Sequence, residues 1–247
     1  MRAALVCAVA AGLTVIGTPA LAAQSAEEIL ARVDANESYT TIRYHGRMEI
    51  TIGGETRYKT MDAVGQGSAR AFVEFTNPED RGTRYLKRDK NMWIYFPREQ
   101  DTVKLSGHLL KDGMMGSDVS YEDALESSDY TQKYRAARKA DDTVGDRTCF
   151  VVELTAKVPT AAYDRRVLWI DAKRFVQLKE EMYAKSGRLL KTSATLSVDR
   201  MGDRWFPSSV EFVSRLRNNT RTVFTMSGVE LDVPVTEQMF SMSALTK

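Results

Sequence analysis

From Ile42 onward the chain adopts a two-residue period and keeps returning to it. Ile42, Tyr44, Met48, Ile50 and Ile52 alternate with Arg43, His45, Arg47, Glu49 and Thr51. Successive side chains of a strand point to opposite faces, so this pattern predicts a long half-buried strand. Further candidates follow at short intervals: residues 69–75, 83–89, 91–96, 101–106, 149–154, 165–171, 175–183, 188–198, 205–213, 220–226 and 229–233. Gly53-Gly54, Asn77-Pro78, Lys185-Ser186-Gly187, Met201-Gly202-Asp203 and Asn218-Asn219 supply turns between them. So many strands on short turns predict one antiparallel meander rather than alternating β and α units. A sheet of that size cannot leave an apolar face open to water, so it must curl on itself or be covered.

Little helix is available to do the covering. Ser25-Ala26-Glu27-Glu28 spells a capping box ahead of Ile29, Leu30 and Val33, which predicts one amphipathic helix. The long break from Gly107 to about Asp142 holds a second, in SDVSYEDALESS, followed by a charged stretch from Tyr130 to Lys139. Two helices are too few to plug a large curved sheet tightly, which predicts a hollow. Residues 1–22 read as a secretory signal that is cleaved: Arg2, an uncharged apolar run from Ala3 to Gly17, and Ala20-Leu21-Ala22 at its end. Residues 23–247 are then one exported domain, since no linker rich in Pro, Gly and Ser divides them.

Composition removes several function classes. The formal net charge of +2 gives nucleic acid no electrostatic handle. Of the two cysteines, Cys7 lies in the leader and Cys149 in the apolar run CFVVEL, so the exported chain has no internal disulfide and Cys149 is expected to be an inert buried thiol. His45 and His108 are the two histidines, too far apart to form a metal-ligand spacing. The sequence has no G-x-S-x-G, no H-E-x-x-H and no phosphate-cradling glycine loop, and the adjacent Glu180 and Glu181 must point to opposite faces of a strand and read as solvated charges. No cofactor and no catalysis are expected. Basic residues gather at Arg84, Lys87, Arg88 and Lys90 and again at Arg215, Arg217 and Arg221, as a soluble face or as a patch for an acidic partner.

The positive signal is apolar. NMWIYF places Trp93 and Tyr95 on one side and Met92, Ile94 and Phe96 on the other, so this strand has no polar face; Leu168, Trp169 and Ile170 behave alike. Met114 and Met115 sit between Gly113 and Gly116 just before the second helix. Methionine adapts to irregular apolar shapes, which suits either the mobile cover of a binding hollow or two core methionines under a loop.

The stretches MWIYFPREQDTVKLSG, MMGSDVSYEDAL, VLWIDAKRFVQLKEEMYAKSGRLLKT, GDRWFPSSVEF and EQMFSMSAL resemble the periplasmic outer-membrane lipoprotein-sorting proteins with the LolA-like fold. They occur in order between Met92 and Leu245; residues 23–90 add mainly the order of helix then strand. The resemblance implies a mainly β protein with a few helices, an incomplete, strongly curved antiparallel β-barrel covered by helices around an apolar cavity that shields acyl chains. It implies a periplasmic, non-catalytic carrier or chaperone that moves the acyl chains of a lipoprotein or lipid toward the outer membrane. A second reading is a sensor or adaptor of the same fold that partners an inner-membrane export pump of the resistance-nodulation class. Trp93, Tyr95, Leu105, Met114, Met115, Tyr121, Leu168 and Ile170 are the expected lining of cavity and lid. The chain is longer than the founding carrier, and the arginine that ties that carrier's lid has no clear counterpart in the sequence.

Overall fold

The computed structural model describes residues 24–125 and 130–247. The expected signal sequence lies outside the described residues. Helix α1 (Ala26–Glu37) begins where the capping box predicts: Glu28 N–H donates to Ser25 Oγ and Ser25 N–H to the Glu28 carboxylate. Its stripe of Ala26, Ile29, Leu30 and Val33 is buried.

The strands are β1 (Thr41–Ile52), β2 (Glu55–Gln66), β3 (Arg70–Phe75), β4 (Arg84–Arg88), β5 (Asn91–Phe96), β6 (Asp101–Leu105), β7 (Tyr134–Arg138), β8 (Asp142–Val144), β9 (Arg147–Ala156), β10 (Arg165–Asp171), β11 (Gln177–Tyr183), β12 (Leu189–Met201), β13 (Arg204–Ser214) and β14 (Thr220–Leu231). They form one antiparallel sheet in the order β6-β5-β4-β3-β2-β1-β14-β13-β12-β11-β10-β9-β7, with β8 on β9. The chain thus builds outward from β1 in one direction and returns to it through β14, leaving β6 and β7 as unjoined edges. This is the mainly β, incomplete barrel that the sequence predicts. A helix of twelve residues spans about 18 Å, yet α1 touches both β7 and β13, five strands apart at about 4.8 Å each. The sheet curls around it.

Some elements differ from expectation. Residues 220–226 and 229–233 are one strand, β14, bent where the β1 register slips between Arg43 and His45 and where Gly228 takes φ +58°. β2 was not expected, because its first half, Glu55–Thr60, has no buried side chain and no apolar alternation. The charged stretch after Tyr130 gives only a turn of helix, α3 (Tyr130–Lys133), and then β7.

Register assigns the faces. Met48, Met61, Phe75, Tyr85, Met92, Ile94 and Leu105 share the concave face with Phe224, Phe212, Glu180, Leu168 and Ile170 on the returning strands. Two covers lie on it. Helix α1 packs over Leu168, Ile170, Val152, Leu154, Tyr134 and Phe175. The mid-chain segment, made of 3₁₀ turns Gly107–Lys111 and Met114–Gly116 and helix α2 (Tyr121–Leu125), packs over Met48, Ile50, Met61, Phe75, Met92 and Leu105. On the convex face the C-terminal 3₁₀ turn Glu237–Phe240 and helix α4 (Met242–Thr246) bury Phe240 and Leu245 against Leu86, Trp93 and Tyr95. Among the described residues no helix is long and apolar enough to cross a membrane.

Candidate functional site

The mid-chain cover is a tight fold rather than a slack loop. Met114 N–H donates to Val119 O at 2.7 Å and Tyr121 N–H to Asp112 O at 3.1 Å. A side chain at Gly113 would stand 2.0 Å from the Ser117 carbonyl, and Gly116 has φ +81°. These glycines therefore close the turn instead of loosening it. Met115 adopts φ 52°, a conformation that costs a non-glycine residue energy. No side chain of either 3₁₀ turn or of α2 is fully buried.

Polar ties hold the cover down. The Asp118 carboxylate, 0% exposed, accepts hydrogen bonds from Arg217 at 2.7 Å, Thr220 at 2.7 Å and Thr222 at 3.0 Å. Arg217 also donates to the carbonyls of Gly116 and Ser117. A few residues on, Asp123 pairs with Lys191 of β12 and accepts from Tyr163 Oη at 2.7 Å. Burial alone would raise the Asp123 pKa, but the Lys191 ammonium and the hydrogen bonds from Lys191, Tyr163 and Ser120 hold it below the usual carboxylate range.

Between the two covers the sheet is not roofed. A cavity of about 260 Å³ is lined by Glu37, Asp123, Arg166, Glu180, Lys191 and Phe212, among others. Its floor is ionic: Arg166 pairs with Glu180 and faces the rings of Tyr130 at 4.8 Å, Tyr163 at 5.3 Å and Tyr134 at 5.8 Å. A second hollow of about 310 Å³ adjoins it through Glu37 and Ala124 and runs under the beginning of β1. Here the walls are Ile42, Tyr44, Ala63, Gly65, Ala71 and Val73, with Lys87 among them. It exists because the adjacent concave positions Ala63 and Ala71 carry short side chains, while Gly65 between them lets Ile42 approach so closely that an added Cβ would stand 3.0 Å from its Cγ2. Burial, with Asp34 and Glu180, pushes the Glu37 carboxyl up to about 7, and burial pushes the Tyr44 hydroxyl up to about 12.

The eight residues expected to line one cavity divide among three places. Leu105, Met114, Met115 and Tyr121 come together under the mid-chain cover. Leu168 and Ile170 are packed solid beneath α1. Trp93 and Tyr95 face the other way and pack on the C-terminal segment. The expected single oily chamber is corrected accordingly: the apolar zones are filled by the protein's own side chains, and the open space is a seam with charged groups in its middle. The residues walling the hollow were missed. Their signal was the run of small residues Ala63, Gly65 and Ala71 in strands otherwise rich in bulky ones.

Other candidates resolve simply. Cys149 is buried, and burial next to Asp171 pushes its thiol up to about 11. His45 is exposed and pairs with Asp62 at 2.6 Å, and His108 is exposed. Glu180 is not solvated as expected but buried against Arg166. The basic clusters disperse, with Arg84 on Glu74, Arg221 on Glu211, Arg217 on the cover and Lys87 turned inward. Among the described residues no group of three or more His, Cys, Asp or Glu could hold a metal ion.

A family model with a "-like" name and the description "Uncharacterized protein" matches residues 67–247, well over half of the chain. The chain belongs to the family that this model describes. No curated protein matches it. Among solved structures it is similar to a DUF1329 family protein from Desulfovibrio piger, with TM-score 0.82 and 23% identity over 88% of this chain and 96% of that one. A structure described as an outer membrane lipoprotein-sorting protein domain from Vibrio parahaemolyticus superposes with TM-score 0.80 and 21% identity, over 89% of this chain and 97% of that one. A LolA superfamily protein from Nitrosomonas europaea gives TM-score 0.75 and 21% identity, over 90% and 100%. At such identities the likeness shows a shared fold. The family match begins at Gly67, so it omits α1, β1 and all of β2, a part of the sequence where the resemblance also rested mainly on element order.

Proposed function

We propose that this LolA-like protein is a periplasmic carrier, exported by a cleaved leader over residues 1–22, in which residues 23–247 act as one domain. It takes an acyl chain of a lipoprotein or lipid into the concave face and delivers it toward the outer membrane, without catalysis and without a cofactor. One observation carries the reading: a hollow with an apolar wall of Ile42, Tyr44, Ala63, Ala71 and Val73 and a polar one of Glu37, Arg70 and Lys87 opens beside a cover that is fastened by polar ties and not by a buried apolar stripe. In this closed state the hollow is near the lower end of ligand pockets, about 300–1,000 Å³. Lifting Met114, Met115 and Tyr121 away from Leu105 and Met92 would extend it under β1–β6. Each methylene withdrawn from water contributes about 0.8 kcal/mol, so a long chain gains enough to offset the loss of a few half-buried contacts. Loose methionine walls also allow release, which a rigid, fully packed pocket would not.

The test is to purify the protein natively and analyse extracted lipid by mass spectrometry, alongside uptake of a fluorescent acyl-chain probe. Bound acylated material and saturable uptake are expected. A protein that emerges empty and takes up no probe contradicts the proposal. Probe binding without any transfer between membranes, together with a saturable complex with an inner-membrane pump, would favour the adaptor reading instead.

A further inference from the structure

Three cations are buried among the described residues: Arg166, Lys191 and Lys87. Each costs solvation energy that an opposite charge normally offsets. Arg166 has Glu180 and Lys191 has Asp123. Lys87, 9% exposed, has no ion pair among the described residues; its ammonium donates to the Ala124 carbonyl at 3.2 Å, which uses one of its three N–H bonds. Lys87 lies on the concave face of β4, between Ala71 of β3 and Met92 of β5. It lines the same hollow as Tyr44 and Ala63, whose other cation, Arg70, is paired with Glu237.

We propose that Lys87 anchors the anionic headgroup, a carboxylate or phosphate monoester, of a single-chain amphiphile whose tail lies along the hollow between Tyr44, Ala63 and Ala71. The inference rests on the carrier reading and names the chemistry of its cargo. Small residues make room for one tail, and an ammonium with no counter-charge among the described residues supplies the polar terminus at its wall. Burial and the nearby Lys133 both pull the Lys87 pKa down, so an arriving anion supplies a counter-charge that the described residues do not. The carboxyl of Glu37, on the wall of the same hollow, is not its missing partner: Glu37 is pushed up by burial and by Asp34 and Glu180, which is the opposite of what an adjacent ammonium would do.

The experiment compares binding of a C16 fatty acid, its methyl ester and a C16 lysophosphatidic acid to the full exported chain and to Lys87→Met, with inorganic phosphate as a separate competitor. The wild type should prefer the acid or the phosphate over the ester by about tenfold or more, the size of a charge-assisted hydrogen bond. Lys87→Met, checked for fold by circular dichroism, should bind acid and ester equally and the ester as well as wild type does. Which anion binds more tightly identifies the headgroup. Equal wild-type affinity for acid and ester overturns the role of Lys87 and leaves the carrier reading intact. Binding of none of the three ligands overturns the carrier reading itself. Displacement of bound fatty acid by inorganic phosphate as readily as by the lysolipid overturns the headgroup assignment in favour of a free-phosphate site.

Discussion

The two covers of the concave face do the same geometric job with opposite materials. Helix α1 is twelve residues with a complete capping box and four buried apolar side chains, and Asn36 near its end donates to the Arg174 and Phe175 carbonyls. The mid-chain cover is built of single turns with no fully buried apolar side chain, one strained methionine, and ion pairs to β12 and to the segment ahead of β14. An apolar stripe loses its stabilisation only if the whole helix leaves, whereas a polar tie can exchange its partners for water with little net cost. The difference teaches that one half of the concave face is built as core, while the other has the weaker fastening that the proposed uptake of an acyl chain requires.

The comparison breaks most visibly if core and cover respond alike to truncation. Leu168→Ala under α1 should lower the global unfolding free energy by about 2–5 kcal/mol, read from denaturant midpoints. Met115→Ala should cost clearly less, and an equal loss would mean that the cover is core as well. Next in size, Asp118→Asn removes the acceptor that gathers Arg217, Thr220 and Thr222. It should weaken the cover by about 1–3 kcal/mol, seen as faster hydrogen exchange at Met114, Ser117 and Tyr121 with α1 unchanged.

These contrasts were only partly visible in the sequence. The α1 capping box and most strands declare themselves, because caps and alternation are local signals that tertiary context merely confirms. β2 escaped because its outer half projects as a polar hairpin, and β7 because Tyr134 and Ala136 are flanked by arginines. The site was harder to read. NMWIYF is apolar on both faces, so nothing local says that Met92 and Ile94 face the hollow side while Trp93 and Tyr95 meet the C-terminus. That choice is made by Phe240 and Leu245, well over a hundred residues further along the chain. The tie between Asp118 and Arg217 spans 99 residues and has no local signature.

Smaller effects sharpen the picture of the seam. Glu37 holds its proton more tightly when folded, with a pKa raised from 4.5 to about 7. Its contribution is therefore intact below about pH 4.5, declines as pH rises toward 7, and is gone above that. Glu37→Gln should remove this decline and, after allowance for partial exposure, add about 1–2 kcal/mol at pH 8, measured by thermal midpoints across pH. Smallest in stability, within about 1 kcal/mol for a residue at the rim of an empty space, Ala71→Leu should fill the hollow and abolish acyl-probe uptake. Unchanged uptake would move the site elsewhere on the concave face.

Hydrogen exchange followed by mass spectrometry, with and without a saturating acyl-chain probe, addresses the central claim most directly. The account predicts weaker protection in residues 107–125 than in Ala26–Glu37 for the free protein, and a probe-dependent change confined to the mid-chain cover and the strands beneath it. Equal protection of both covers, unaltered by probe, would contradict it.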